Sequence, residues 1–421
     1  MEALRAFRSR NFRLFFSGQS ISLLGTWVQK TAVVWLVYRL TGSPFLLGVT
    51  GFVGLFPTLV LSPFVGSYID RHNKFKVMVQ TQVWAAVQAL LLALLIFFSI
   101  YNIPAIILLS LLQGIINAVD VTCRQSLMVE LVDNPGDVSN AIALNSTITN
   151  LTRVLGPALG GLLLGVWGED VCFISNFLSF IPVLYCLYLM SITPTVHAAE
   201  QRSFWAELKE GFVYIRTERE ITGQLLLLTI TSFCLIPFTT ILPILAKDIF
   251  KGNATVFSLF ESAIGLGSLL SAVYMARLKQ LDRLVRVIMV ASCLFSGGLI
   301  LLSQANNMVF ALVSLTLGGA GMMAQSSSIN TYIQTHSAPQ MRARAISYFI
   351  MAYMGVTPIG TILLGWVAEH YSVKTVFFIE GLCGVFAVGF YLWYRARYIL
   401  TPMAPNRKND SGNQPALPYI R

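Results

Sequence analysis

Charge is what this sequence lacks most: 11% of its residues are Asp, Glu, Lys or Arg, against about 25% in an ordinary soluble domain. That deficit excludes most water-soluble folds. Thiol and imidazole chemistry are thin too, with 6 cysteines and 4 histidines in 421 residues. Cys123, Cys172, Cys186, Cys234, Cys293 and Cys383 fall in or at the edge of apolar runs with no CxxC pair, so neither a disulfide frame nor a metal site is expected. His72, His197, His336 and His370 lie in polar loops. No Gly-rich phosphate loop and no nucleophile–base–acid set occurs, which argues against an ATP-driven machine and against an enzyme, and no cofactor is implied. The net charge of +10 sits in short loops rather than on one soluble face, so nucleic acid is not the expected partner.

Apolar runs are what the chain has instead. Hydrophobic residues make up 55% of it, and runs long enough to cross a hydrocarbon core of about 30 Å as helices recur along nearly the whole length. The first run is too long for a cleaved signal peptide and stays in the protein. Gly, Pro, Asn and charge pairs divide the chain into twelve spans: 12–38, 45–69, 77–100, 103–129, 138–166, 171–192, 221–247, 256–280, 285–303, 307–333, 343–367 and 373–396. Alternate loops carry Arg5, Arg8, Arg10 and Arg13; Arg71, Lys74 and Lys76; Arg277, Arg283 and Arg286; and Arg342 and Arg344. The opposite loops hold only Arg39, Lys247, Lys251 and Lys374, so the positive-inside rule puts both termini in the cytoplasm.

The polar connection 193–220 separates an N-terminal bundle, 1–192, from a C-terminal bundle, 221–397. Residues 203–216 are amphipathic and suit either a helix on the membrane surface or a solvated linker helix. Residues 398–421, rich in Pro, Asn and Ser, are expected to be a disordered cytoplasmic tail. A shift of 204 positions sets Gly156 on Gly360, Gly161 on Gly365, Pro135 on Pro339 and Phe173 on Phe377, and Asp70-Arg71 after span two is echoed by Asp282-Arg283 after span eight. The reading is an all-α membrane protein of twelve transmembrane helices in two pseudo-symmetric six-helix bundles, with a transport site between them.

Four groups of residues carry the functional expectation. The first is a gate, Gly66, Asp70, Arg71 and Lys74 in GSYIDRHNKFK together with Asp282 and Arg283, where charges can exchange partners between two conformations. Hinges form the second: Gly156 and Pro157 in LGPALGGLL, and Pro358 and Gly360 in GVTPIGTILLG, which permit close packing or bending. A third comprises ionisable groups inside spans. Each costs at least about 2.5–3.5 kcal/mol at mid-bilayer and must face protein or a watery chamber. Asp120 and Arg124, one turn apart, either form a polar network with Glu261 that couples to protons or are a structural ion pair. Lys30 and Arg153 supply cations to a chamber, and Lys30 could instead snorkel outward. Glu261 could equally be an ordinary helix-end residue. The fourth group is substrate-binding: Lys30, Trp27, Asn145, Arg153 and Glu380, with Trp35, Phe56 and Gln19 as further stacking or hydrogen-bonding partners. On this reading Asp120→Asn leaves the fold intact while abolishing gradient-driven transport.

These residues resemble the major facilitator superfamily. GSYIDRHNKFK is similar to its signature G-x-x-x-D-R-x-G-R/K-R/K, with Asn73 at the usual Gly and Phe75 at a usual base. SRNFRLFFSGQSISLLGTWVQ, LTGSP at 40–44, D-x-x-x-RQ at 120–125, NAIALN at 140–145 and NLTRVLGP at 150–157 resemble the branch containing enterobactin exporters and macrolide efflux proteins, although Thr122 stands where relatives often have Pro. The resemblance implies a monomeric, proton-driven exporter of a small organic molecule in a bacterial inner membrane, working by alternating access. A siderophore-like amphipathic or anionic solute is the first expectation. Multidrug or macrolide efflux is the second, and siderophore import or lysolipid movement the third.

Overall fold

The computed structural model describes residues 2–192, 204–278, 283–338 and 340–400. Twelve helical spans run through it: α1 (Arg10–Thr41), α2 (Pro44–Asp70), α3 (Lys74–Phe97), α4 (Ile103–Leu127), α5 (Val138–Trp167), α6 (Glu169–Tyr188), α7 (Arg219–Ile249), α8 (Ala254–Arg277), α9 (Leu284–Ser303), α10 (Met308–His336), α11 (Arg344–His370) and α12 (Val373–Ile399). No strand occurs among the described residues; helices that satisfy their own backbone are one of the two ways a chain can cross lipid. Eleven of these helices are apolar and long enough to cross a bilayer; α5, polar over its first half, packs between α1 and α8 as the twelfth. Exposed apolar side chains such as Phe64, Trp84, Phe98 and Phe386 give the bundle the oily perimeter that lipid solvates.

The turns follow the sequence's own punctuation. Asn73, Asn102 and Asn307 each cap the next helix, accepting from the backbone N–H of Lys76, Ala105 and Phe310 at 3.0, 3.0 and 2.8 Å. Two spans are irregular. In α7 the α-helix stops at Cys234 and continues as a 3-10 stretch (Ile236–Ile241) and a π-turn (Leu245–Ile249), where Pro237 and Pro243 withhold backbone donors. A π-turn over Met351–Gly355 breaks α11 just before Pro358, whereas α5 runs unbroken through Pro157. Of the two expected proline hinges, only the one in α11 sits at a break.

Polar side chains tie helices together inside each bundle, as they must where lipid gives no hydrophobic drive for helix association. Gln29 donates to Gln88 at 3.2 Å and accepts from Asn176 at 2.8 Å, linking α1, α3 and α6. In the other bundle Gln325 donates to Ser292 at 2.8 Å and accepts from Thr231 at 3.3 Å.

How the bundles meet decides what the molecule can do. At the end opposite the chain termini one hydrophobic core spans both, running from Leu36 and Leu164 to Phe238, Phe257 and Phe377. At the end that carries the termini the core splits into two, one built only from residues 6–190 and the other only from residues 215–391. The bundles are therefore joined at one end and parted at the other. The repeat glycines make the joint. Gly161 leaves a Cβ only 2.9 Å from Ser258 Cα of α8, and its pseudo-symmetric partner Gly365 leaves 2.9 Å to Gly48 Cα of α2. Gly156 and Gly360 instead let α5 close on Trp27 and α11 close on Pro237 within their own bundles.

Polar latches reinforce the joint. Tyr38 donates to Asp248, Glu369 accepts from Ser43 Oγ and Phe45 N at 3.1 and 3.0 Å, and Trp35 stacks on Phe257 with ring centroids 5.6 Å apart. Gly48 is the tightest point, since a Cβ there would lie 2.6 Å from the Thr361 carbonyl oxygen. Gly48→Leu is expected to prise this end apart, overpacking costing about 1–3 kcal/mol and shifting the open-to-closed ratio about 5- to 150-fold. A cysteine introduced by Ser258→Cys would then react with a membrane-impermeant thiol reagent from the side opposite the termini, and an unchanged rate would contradict the assignment.

Candidate functional site

Below the joint, where the bundles begin to part, three ionisable side chains from three helices come within electrostatic reach at Lys30's position, without an ion pair between them. Lys30 of α1 is exposed although the residues on either side of it are buried, and its Nζ sits 4.7 Å from the centre of the Trp27 ring. It lies close enough to Arg153 of α5 and Glu261 of α8 to feel both charges. Arg153, half-buried, places its guanidinium carbon 5.7 Å from the centre of the Tyr353 ring of α11. A Lys that touches an inward aromatic and interacts with groups across the seam is not snorkelling to a surface. Glu261 lies two turns inside α8, buried, rather than at its frayed end.

The arrangement has a chemical reading. Two cations separated by no acid of their own bundle attract an anion, and the flanking Trp27 and Tyr353 offer flat apolar faces beside the charges. Glu261, from the opposite bundle, supplies the opposite charge near Lys30. Asn145 of α5 is half-buried toward the parted end of the same helix. Tyr353 is not legible as a site residue from sequence, since a lone Tyr in an apolar span gives no signal until its partner is known.

Other expected site residues lie elsewhere. Asp120 and Arg124 are 8% and 3% exposed and belong to the interior of the N-terminal bundle, not to the seam. Arg124 Nη2 donates to Asp120 Oδ2 at 2.6 Å, and Gln82 Nε2 of α3 donates to Asp120 Oδ1 at 2.6 Å, so the acid ties α3 to α4. The pair is buried and hydrogen-bonded within one bundle, the geometry that a structural ion pair has. Gln19 lines the same interior, and Trp35 is part of the joint. Glu380 is sealed in the C-terminal bundle at 3% exposure, with no hydrogen bond to either carboxylate oxygen, so it does not face the seam.

The residues expected to form a gate, where described, lie toward the parted end. Lys74 Nζ reaches Glu130 Oε1 at 3.6 Å, a partner from its own bundle, and Arg71 and Arg283 are exposed. A Cβ on Gly66 would lie 4.0 Å from Thr122 Cγ2 of α4. The side chain of Asp70, and Asp282 altogether, lie outside the described residues, as does the tail beyond residue 400. The helix Phe204–Thr217 rests on the C-terminal bundle, where Arg344 meets Glu210 at 2.5 Å and Tyr214 accepts from the Ala338 backbone at 2.9 Å.

Comparison with known proteins agrees with this architecture. The family model described as transmembrane secretion effector matches residues 1–410. The chain is 27% identical over 376 residues to the staphyloferrin A transporter of Staphylococcus aureus (strain NCTC 8325 / PS 47), covering 88% of this chain and 92% of that protein. It is 20% identical over 377 residues to macrolide efflux protein A of Streptococcus pyogenes, covering 88% and 92%. Among solved structures, a mutant form of the nucleoside transporter NupG superposes with a TM-score of 0.70 at 15% identity, over 91% of this chain and 99% of that one. An inward-facing, occupied bacterial homologue of the lysosomal transporter spinster gives 0.68 at 12% identity, over 94% and 98%.

Proposed function

We propose that this chain, which belongs to the transmembrane secretion effector family of the major facilitator superfamily, exports a small anionic or amphipathic organic solute of siderophore type from the cytoplasm. Transport proceeds by alternating access and is driven by protons. The observation that carries this reading is the trio Lys30, Arg153 and Glu261, brought from both bundles to the seam directly beneath the joint.

With both termini in the cytoplasm, as the basic loops indicate, the parted end opens inward and this conformation is the one that loads solute. An anionic group entering the seam is neutralised by Lys30 and Arg153 while an apolar portion lies along Trp27 and Tyr353. Glu261 alternates between pairing with Lys30 and carrying a proton, which links occupancy of the seam to the ion gradient. The bundles then rock about the glycine contacts of α5 with α8 and of α2 with α11, the latches of Tyr38 and Glu369 release, and the gate loop with Asp70 and Arg71 closes the cytoplasmic side. A relative named as a staphyloferrin A transporter supports a siderophore-type solute, and relatives named as macrolide efflux proteins make macrolide-like solutes the second reading.

Arg153→Gln separates the two. A charge-assisted contact is worth about 1.5–3 kcal/mol, so carboxylate-bearing solutes should bind about 10- to 100-fold more weakly to this variant while solutes without a carboxylate change little. Equal losses for both classes, measured as transport in sealed vesicles, would refute the charge-complementarity reading and favour the second.

A further inference from the structure

The interior of the N-terminal bundle holds a small cavity of about 30 Å³ that the transport reading does not use. Its polar lining comes from Gln19, Ser22 and Thr26 of α1, Gln82 of α3, and Gln113, Asn117 and Asp120 of α4, the Asn117 Nδ2 donating to Thr58 Oγ1 at 3.4 Å. The side-chain oxygens of Gln19, Gln82 and Gln113 are buried and have no hydrogen-bond partner. For Gln82 this orientation is fixed: its Nε2 donates to Asp120 Oδ1 at 2.6 Å, a carboxylate cannot donate back, and the amide oxygen must therefore point away, unpaired. Gln19 and Gln82 are 3% and 2% exposed, so bulk water does not satisfy them.

The space accommodates one water-sized occupant. Residues bearing three orphaned acceptors and the carboxylate of Asp120 line it, and among the described residues no Lys or Arg does. A water has only two protons to offer such a set, whereas a hard cation satisfies every oxygen at once. Charge selects the valence. Asp120 already gives its other oxygen to Arg124 Nη2, so the surroundings hold one partly spent negative charge and neutral dipoles, too little for a divalent ion.

We propose that this cavity is a binding site for a monovalent metal cation of sodium size. The inference stands apart from the transport reading. It has a consequence for it, because the ligand Gln19 and the seam residue Lys30 lie on the same helix, α1, and cation and solute affinities should be linked reciprocally.

The test is thermal unfolding of the purified full-length chain in sodium chloride, potassium chloride and choline chloride at equal ionic strength. Sodium should stabilise saturably, choline not at all, and potassium less than sodium. Gln113→Leu removes one oxygen from the cavity and should weaken the apparent sodium affinity about tenfold. Should that variant not purify, retention of radiolabelled sodium by the unmodified chain, displaced by unlabelled sodium and not by choline, supplies the same answer. Identical unfolding in sodium and choline with no retained label overturns the proposal and leaves a water in the cavity. Vesicle transport of carboxylates run in parallel keeps the two readings distinct: solute movement with no sodium effect sinks this site alone, and sodium binding with no solute movement sinks the transport reading alone.

Discussion

Glu261→Gln is expected to abolish accumulation of solute against its gradient while leaving downhill exchange nearly intact. The amide keeps the volume and one acceptor of the carboxyl but neither its charge nor its exchangeable proton. Lys30 then remains free for solute in both conformations, and nothing connects the solute to the proton gradient. In vesicles with an imposed pH difference, uphill transport should fall at least about 100-fold, the loss of an effect worth about 3 kcal/mol or more, while exchange of labelled for unlabelled solute should stay within about twofold. Gradient-driven accumulation at the unmodified rate would remove Glu261 from the coupling mechanism.

Asp120→Asn should produce the other large effect, on stability. Arg124 is 3% exposed, its Nη1 already lacks a partner, and Asp120 is the acid that faces it. Removing one member of a buried pair leaves an uncompensated charge and costs about 3–5 kcal/mol. The variant is expected to unfold at markedly lower temperature in detergent, and Asp120→Asn combined with Arg124→Leu should recover most of the loss because no charge remains buried. This reverses the expectation that Asp120→Asn would fold normally. An unfolding temperature equal to that of the unmodified chain would show that Arg124 finds other solvation.

Much of the architecture is legible in the chain because lipid leaves few options. A segment that must satisfy every backbone group by itself and stay apolar for the width of a bilayer announces its length, and caps such as Asn102 and Asn307 mark its ends. The repeat is legible for a related reason. Gly161 and Gly365 occupy equivalent contacts of α5 on α8 and of α11 on α2, where neither leaves room for a side chain, so the shared packing problem recurs at a constant offset.

Less legible is the grouping of the intramembrane charges. Lys30, Arg153, Asp120 and Glu380 look alike in sequence, each a costly ion in an apolar helix. Their separation into a seam trio, a bundle-internal pair and a sealed acid depends on partners far away in the chain, such as Gln82 for Asp120 and Glu261 for Lys30. The latch residues Asp248 and Glu369 resemble ordinary loop acids until the opposite bundle is brought against them. The irregular course of α7 is written only as Pro237 and Pro243, which bend some helices and merely decorate others, as the unbroken passage of α5 through Pro157 illustrates.

The placement of Lys30, facing water in a seam which opens toward the termini, underlies the transport mechanism proposed above. It is tested most directly by Lys30→Cys in a background lacking the 6 native cysteines, treated with a charged, membrane-impermeant thiol reagent applied to one side of oriented vesicles at a time. Reaction from the terminus side, with Trp84→Cys on the oily perimeter inert, is the predicted result, and adding Gly48→Leu should extend reactivity to the opposite side. A cysteine at position 30 that reacts as poorly from both sides as the one at position 84 would contradict the account.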